Sequence, residues 1–559
     1  MTFHAGTYQN FIAASSPSQT KLFPQYLGPR DDFDIIIIGS GIGGGILADE
    51  LADRVAGYRR ILVLEAGSYL YPTHVYNICR FANADVAGEF GCGTFWQGSG
   101  EGSAFFIGAR PQLNFGGRSI FWSGLIPAIQ EWELGFFPPP VRTELAAGLL
   151  NEAGSLLNES RTLGTTARNI VAELRQSPLA LDFSIQETPR ALHQPFLAAD
   201  GSPNPELFRE PTGVFNTAEL LINQAGRIPG SYHGDYAGLH LLLNRFVEDV
   251  RAAPGNRYEV VACNALDGQA RVFNAATVVL AGGSIESPKL LRRSSLFPSL
   301  PASAQAQAGR GLTDHPTTEW NRTYATHIGG VPIPRDAHGK IVFYSRGRRD
   351  AQNRILFPFN VEMNVNHEYW HLRENDPNAP GGALPSGASI VEIKFSFGNC
   401  LDAGNEIRPA APGAYVPEIV FRNQGWMDHL AGSRFPALAG WQKDYGEIWA
   451  VLNDVTHRIF SRFSRDGVPC RPDGERWYGY GLGFGYGTVH HAIGTLRMPY
   501  LSRYDEPAFR TDSVVDTDLQ VVGAPNLYVC DMSVMPFSSA ANPVRTLAAL
   551  ALRLSRRLG

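Results

Sequence analysis

The chain has 559 residues, 44% of them hydrophobic and 18% charged, with a formal net charge of -5. That length suffices for two or more domains, or two interleaved lobes, with sizeable cores. The slight acidity gives no reason to expect nucleic acid or an anionic membrane as a partner. No apolar run approaches the ~20 residues needed to span a bilayer. Residues 1–18 lack a basic segment followed by an apolar one, so a cytoplasmic protein is expected. Six cysteines (Cys79, Cys92, Cys263, Cys400, Cys470 and Cys530) are scattered without a C-x-x-C pair, which suggests neither a disulfide framework nor a thiolate metal site.

Residues 1–30, rich in Ser, Thr, Gln and Pro, read as an N-terminal arm. Residues 34–65 then carry the pattern of strand, turn, helix and second strand that holds a dinucleotide. Ile35, Ile36, Ile37 and Ile38 form an unbroken β-branched run, as expected of a parallel strand buried on both faces. The turn runs Gly39-Ser40-Gly41-Ile42-Gly43-Gly44. In a G-x-G-x-x-G turn, Gly39 permits the bend, Gly41 lets backbone approach a pyrophosphate, and Gly44 lets the next helix pack close. Free N–H groups at that helix start face the phosphates. The second strand, 61–64, closes on Glu65, whose carboxylate can accept hydrogen bonds from a ribose diol.

The stretch 114–124 is a glycine-bounded loop (Gly116, Gly117, Ser119, Phe121, Trp122, Ser123); a plain turn is its default reading, and its aromatics can also lie along a flat cofactor ring. Residues 139–230 alternate helical patterns with Pro- and Gly-rich loops and carry no chemical motif. Paired strands are expected over 258–263 and 270–273. A second buried strand follows over 277–280, ending in small residues where backbone approaches a ligand. Strand-like alternation over 340–344, 355–365, 390–397 and 419–421 predicts an antiparallel sheet distinct from the nucleotide-binding lobe.

Near the C-terminus, 526–531 reads as a short buried strand ending on Asp531, a carboxylate suited to a polyol hydroxyl. Asn542 and Pro543 then suit the N-cap and first position of a helix whose Leu547, Leu550, Leu554 and Leu558 recur at helical spacing. Upstream, His490 and His491 precede a Gly494-Thr495 turn. Histidine suits removal of an alcohol proton because its ordinary pKa is ~6.5. A histidine in an apolar strand is more often a satisfied core residue, so the pattern alone leaves its role open.

Together these blocks resemble the glucose-methanol-choline (GMC) family of FAD oxidoreductases over most of the chain. The matches are Gly39-x-Gly41-x-x-Gly44 with Glu65, Gly116-Gly117-x-Ser119, and the run from Gly283 to Leu291. They continue with Gly311-Leu312-Thr313-Asp314-His315-Pro316, His491-x-x-Gly494-Thr495, Asp531-x-Ser533, and Asn542-Pro543.

The resemblance implies an α/β fold in which a Rossmann-like FAD-binding domain (31–135, 232–318 and 482–559) interleaves with an α+β substrate domain (136–231 and 319–481) carrying an antiparallel sheet. It implies that His491 deprotonates an alcohol whose carbon passes hydride to flavin N5, with Asn542 orienting the substrate. The helix starting at Pro543 would favour the reduced flavin. Val247 matches the position whose backbone holds the adenine. The loop 116–122 is closest to the pyranose-oxidase-like branch, where a loop histidine can attach FAD; Phe121 stands there, so non-covalent FAD is expected. Ser123 stands where many relatives have Asn near the flavin. The implied partners are a small alcohol or sugar, and oxygen or another electron acceptor.

Three rival readings follow from the same residues. His367-Glu368-Tyr369-Trp370-His371 is a literal H-E-x-x-H, but Pro377, Pro380, Gly381 and Gly382 cut short the helix that a zinc site requires. An FAD-retaining lyase of the same fold would use His491 as acid or base. An NAD dehydrogenase fits the first 65 residues and gives no account of Asp531 or the last helix. Arg346, Arg348 and Arg349 read as a solvated charged loop.

Overall fold

The computed structural model describes residues 31–69, 74, 112–160, 165–192, 214–228, 236–334, 339–349, 351, 355–366, 387–409, 417–422, 446–472, 484–487, 489–502 and 506–559. The expected arm (1–30), the H-E-x-x-H stretch (367–371), Cys79 and Cys92 lie outside the described residues.

Strand β1 (Asp32–Ile38), helix α1 (Ile42–Val55) and strand β2 (Arg60–Leu64) match the predicted dinucleotide-type unit. Next come β3 (Phe183–Glu187), α2 (Thr217–Arg227), β4 (Gly238–Leu242), β5 (Arg245–Ala253), β6 (Arg257–Asn264), β7 (Ala270–Leu280) and α3 (Gly283–Arg293). They are followed by β8 (Asn321–Ala325), β9 (Gly339–Ser345), β10 (Phe359–Val365), β11 (Ser389–Phe397), β12 (Leu527–Val529) and α4 (Val544–Leu558).

The first sheet has seven strands in the order β4-β2-β1-β7-β6-β5, with β12 also paired to β7. Strands β4, β2, β1, β7 and β12 run parallel, with Leu242 beside Leu64, Leu64 beside Ile38, and Ile38 and Val529 both beside Leu280. Their C-termini therefore end in one row, and Gly39, Glu65, Ala281 and Cys530 follow on the edge where open α/β sheets take ligands.

Strand β7 is continuous where the sequence suggested two pieces. Asn274 and Ala275 pair with Asp32 and Phe33, so the polar and small interruption stays in the ladder. The first half of β7 pairs antiparallel with β6 and the last residues pair parallel with β12.

Around this sheet, Ile36, Ile37, Leu47, Leu62, Val278 and Leu550 form a fully buried core. Val141, Leu149, Phe215 and Leu221 belong to that core as well, although 136–231 was expected in the other domain. They do so because α2 packs against α1, and the helix over Leu150–Leu156 packs against α4.

The second sheet has five antiparallel strands in the order β3-β9-β10-β11-β8. Phe359, Val361, Met363 and Val365 of β10, with Val391, Ile393, Phe395 and Phe397 of β11, enter a second core. Period-2 alternation sends Asn360, Glu362, Asn364, Lys394 and Ser396 to the opposite face. Strand β10 starts later than predicted because Pro358, just before it, has no N–H for a ladder. The predicted strand 419–421 does not join this sheet; among the described residues Glu418–Val420 pairs only with Glu406–Arg408.

Candidate active site

Gly39 takes a left-handed φ of +110°, and a Cβ there would stand 2.5 Å from the Ala281 carbonyl oxygen. A Cβ on Gly44 would lie 2.1 Å from the Gly39 oxygen, and one on Gly43 would lie 2.0 Å from the Cys530 oxygen. Gly41 is different, with nothing within 4 Å of its Cβ position. Three glycines thus close the turn, helix and strands onto each other, while Gly41 opens its backbone to a cavity of about 860 Å³.

Glu65 is buried beneath that turn. Its Oε2 accepts from Ser40 N (3.0 Å) and Ser40 Oγ (2.6 Å), and its Oε1 from Gly67 N (2.9 Å). Burial raises its pKa despite these bonds. The Ser40 hydroxyl in turn accepts from Gly116 N at 2.9 Å. Gly116 and Gly117 both hold left-handed φ values, +85° and +53°. Ser119 Oγ donates to the Gly116 carbonyl at 2.6 Å, and Thr217 N donates to Ser119 Oγ at 3.0 Å.

Gly39, Gly41, Glu65, Gly117, Trp122 and Ser123 line the cavity, whereas Gly44, Gly116 and Ser119 stand behind it as supports. Trp122 is fixed by donating Nε1–H to the Phe215 carbonyl (2.8 Å), and its own carbonyl meets His74 Nε2 at 2.7 Å. Val247 lines the same cavity beside a bulge, where the pairing steps from Val247–Ala262 to Asp249–Val261.

Asp531 ties two segments together at the sheet edge. Its Oδ2 accepts from Gly283 N (2.9 Å) and Ser287 Oγ (2.5 Å), and its Oδ1 from Ser533 N (2.8 Å). It caps its own short turn and anchors the start of α3.

At the other end of the cavity lies His491, placed by the left-handed His490 (φ +61°). These residues form a loop held by Ile493 pairing with Thr313. His491 Nδ1 lies 2.9 Å from His315 Nε2, leaving Nε2 as the nitrogen available to the cavity. Burial, followed by the neighbouring His315, pushes the His491 pKa well below the ordinary histidine value. Burial also takes His315 down to about 4 and Asp314 up to about 7. The Asp314 carboxylate accepts from the backbone N–H of His315 (2.7 Å), Gly487 (2.9 Å) and His491 (3.4 Å), so it shapes the loop that carries both rings.

The ligating atoms of Asp314, His315 and His491 lie within 4.8 Å of one another. The two ring nitrogens are at hydrogen-bond distance, and the carboxylate is occupied by backbone donors. A tetrahedral ion with bonds of ~2.0–2.1 Å needs its nitrogens farther apart. The group is arranged to share a proton.

Asn542 lines the cavity, and its side chain makes no hydrogen bond among the described residues. It is not the helix cap that the sequence suggested. Leu547 N donates to the Pro543 carbonyl, so Pro543 is the N-cap and α4 starts one residue later, at Val544. Pro543 supports Asn542 from behind without lining the cavity.

Sequence reasoning missed Ser40, Thr217, Glu362 and Lys394, and quoted His315 without a role. Asp314-His315 stood among the matched blocks and offered a signal for the last. The other residues are ordinary polar types whose importance depends on contacts made across the fold.

The residues present fit FAD: a glycine cradle at a helix start, a buried acidic residue under it, and a cavity running on to a histidine and an asparagine. Parallel strands that carry these parts at their carboxyl edge suit a dinucleotide cofactor such as FAD. Residues 477–551 match the GMC oxidoreductase C-terminal family model. The chain is 23% identical to a C-glycoside 3-oxidase of Microbacterium trichothecenolyticum, over 94% of this chain and 96% of that protein. It is 24% identical to a GMC-type oxidoreductase of Sinorhizobium fredii, over 93% and 94%. Among solved structures, pyridoxine 4-oxidase from Mesorbium loti superposes with a TM-score of 0.57 at 17% identity, covering 94% of this chain and 99% of that one. Aspergillus oryzae formate oxidase gives 0.58 at 13% identity, covering 95% and 98%. The chain thus carries a GMC oxidoreductase C-terminal domain over residues 477–551, is similar to GMC-type oxidoreductases along nearly its whole length, and is an FAD-dependent oxidoreductase.

No helix among the described residues is long and apolar enough to cross a membrane.

Proposed function

We propose that the chain oxidises a CH–OH group of a sugar, glycoside or other alcohol to a carbonyl, using non-covalently bound FAD and passing electrons to oxygen or another acceptor. The observation that carries this reading is that one cavity joins the glycine cradle to His491 and Asn542. When bound, FAD supplies the two-electron acceptor for the hydride that leaves the carbinol carbon.

His491 Nε2 removes the hydroxyl proton. Burial keeps the ring neutral, and the bond to His315 fixes its plane. For Nε2 to accept, Nδ1 must carry the ring proton and donate it to His315 Nε2. His315 then carries its own ring proton on Nδ1. Asn542 offers amide donor and acceptor groups to the alcohol oxygen, and the start of α4 adds a favourable potential for charge developing nearby. The match over nearly the whole length to a protein named as a glycoside oxidase supports the same reaction class.

The test is an anaerobic visible spectrum of the purified protein with sugars, glycosides and simple alcohols added in turn. Bleaching of the flavin band is expected. A flavin that stays oxidised with every donor favours the lyase alternative, with His491 as acid or base, and absence of flavin removes the assignment.

A further inference from the structure

The face of β9, β10 and β11 that turns away from the second core is polar yet largely buried. Glu362 and Lys394 stand directly opposite each other in the β10–β11 register, with Lys394 Nζ 3.2 Å from Glu362 Oε2. Ser396 Oγ donates to Glu362 Oε1 at 3.0 Å. Lys340 lies on the neighbouring strand opposite Asn364, diagonal to Glu362. Lys394 also sits 5.1 Å from the centre of the Trp320 ring, which is 37% exposed. Lys340, Glu362, Lys394 and Trp320 all line the cavity that holds His491.

Behind them a small cavity of about 10 Å³ is bounded by Lys340, Asn360, Glu362, Asn364 and Asn542. Asn360 Nδ2 and Asn364 Nδ2 make no hydrogen bond among the described residues, though these side chains are at most 3% exposed. Buried amide donors left open in this way cost stability, which is a reason to look for a ligand they serve.

An ammonium and a carboxylate side by side offer a donor and an acceptor to adjacent hydroxyls, and an indole face can cover the C–H side of a ring. A monohydric alcohol uses none of this array. Lys394 already balances Glu362, and burial lowers the Lys340 pKa to about 7, so the array carries little net charge with which to hold a carboxylate-bearing substrate. We propose that Lys340, Glu362 and Lys394 form a hydroxyl-binding subsite, and that the substrate is a neutral polyol such as a sugar ring or glycoside. This rests on the CH–OH oxidation reading above.

The test uses the FAD-loaded protein, methyl glycosides, gluconate and benzyl alcohol as donors, and the variants Glu362→Gln and Lys394→Met, with Lys394→Arg as the conservative control. Wild-type flavin reduction should favour a glycoside over benzyl alcohol by roughly a hundredfold in kcat/KM, since several hydrogen bonds to charged groups are at stake. Each variant should raise KM for the glycoside about tenfold or more and shrink that ratio, with Lys394→Arg recovering part of it. An intact visible flavin spectrum shows that a variant is folded; Lys340→Met replaces any that is not. Equal use of benzyl alcohol, preference for gluconate, or an unchanged ratio in the variants overturns the subsite. If no donor reduces the flavin, the oxidation reading fails by itself. The subsite is then judged by saturable perturbation of the oxidised flavin band: glycoside binding weakened in Glu362→Gln upholds it, and no binding or equal binding overturns it.

Discussion

His491 Nδ1 and His315 Nε2 share one hydrogen bond at 2.9 Å, and that bond decides which nitrogen of His491 faces a substrate. Removing the ring should therefore remove the base while sparing the nucleotide cradle. His491→Ala is expected to keep its flavin absorbance and lose flavin reduction by roughly 10²–10⁴-fold, measured by anaerobic stopped flow. A near wild-type rate would take His491 out of the reaction.

The neutral state of His491 sets the acid limb of activity. Because burial holds its pKa well below the histidine norm, flavin reduction should not weaken until pH falls clearly below ~6.5. An inflection at or above that value in the reduction rate would contradict the buried neutral ring.

His315 makes a stability prediction with a definite sign. Its native pKa is about 4. Its unfolded value is ~6.5. Between the two, the unfolded chain binds a proton that the native chain refuses, so stability falls as pH drops through that window, by up to roughly 3 kcal/mol from this group. Asp314, raised to about 7 by burial, acts in the opposite sense below that value. His315→Gln should show a shallower loss than wild type between about pH 6.5 and 4.5 in denaturant melts. Parallel curves would mean that the ring is not buried neutral.

Asn542→Ala separates positioning from helix capping. With Pro543 at the cap, the change should alter stability by less than about 0.5 kcal/mol and slow flavin reduction. A stability loss near 1 kcal/mol, the usual cost of a lost N-cap, together with unchanged kinetics would restore the capping role.

The glycines should divide by what their Cβ would meet. Gly41→Ala, with open space on that side, is expected to fold and to release FAD in equilibrium dialysis, whereas Gly43→Ala would drive into the Cys530 carbonyl and give little folded protein. Acid precipitation of wild type should leave the pellet colourless, because Phe121 offers no nitrogen for a flavin bond; a yellow pellet would contradict non-covalent FAD.

Much of the nucleotide end was legible in the sequence because its chemistry is local. Gly39 to Gly44 act through spacing along one turn, and the isoleucine run before them has a single reading. The substrate end was less legible. Glu362 and Lys394 are 32 positions apart and meet only through strand register, and the alternation that reveals a half-polar sheet does not say what its polar face covers. The helix start was placed one residue early: Asn-Pro fits the usual N-cap and first-residue preferences, and only the bond from Leu547 to Pro543 selects the later frame.

Strand β7 has β1 from near the N-terminus on one side and β12, at residues 527–529, on the other. Neighbours in this sheet are thus made far apart in time, and the edge that carries Asp531 can close only after residues 527–529 have left the ribosome. A chain cut before Leu527 would lack one wall of the nucleotide lobe, with Asp531 absent from the start of α3.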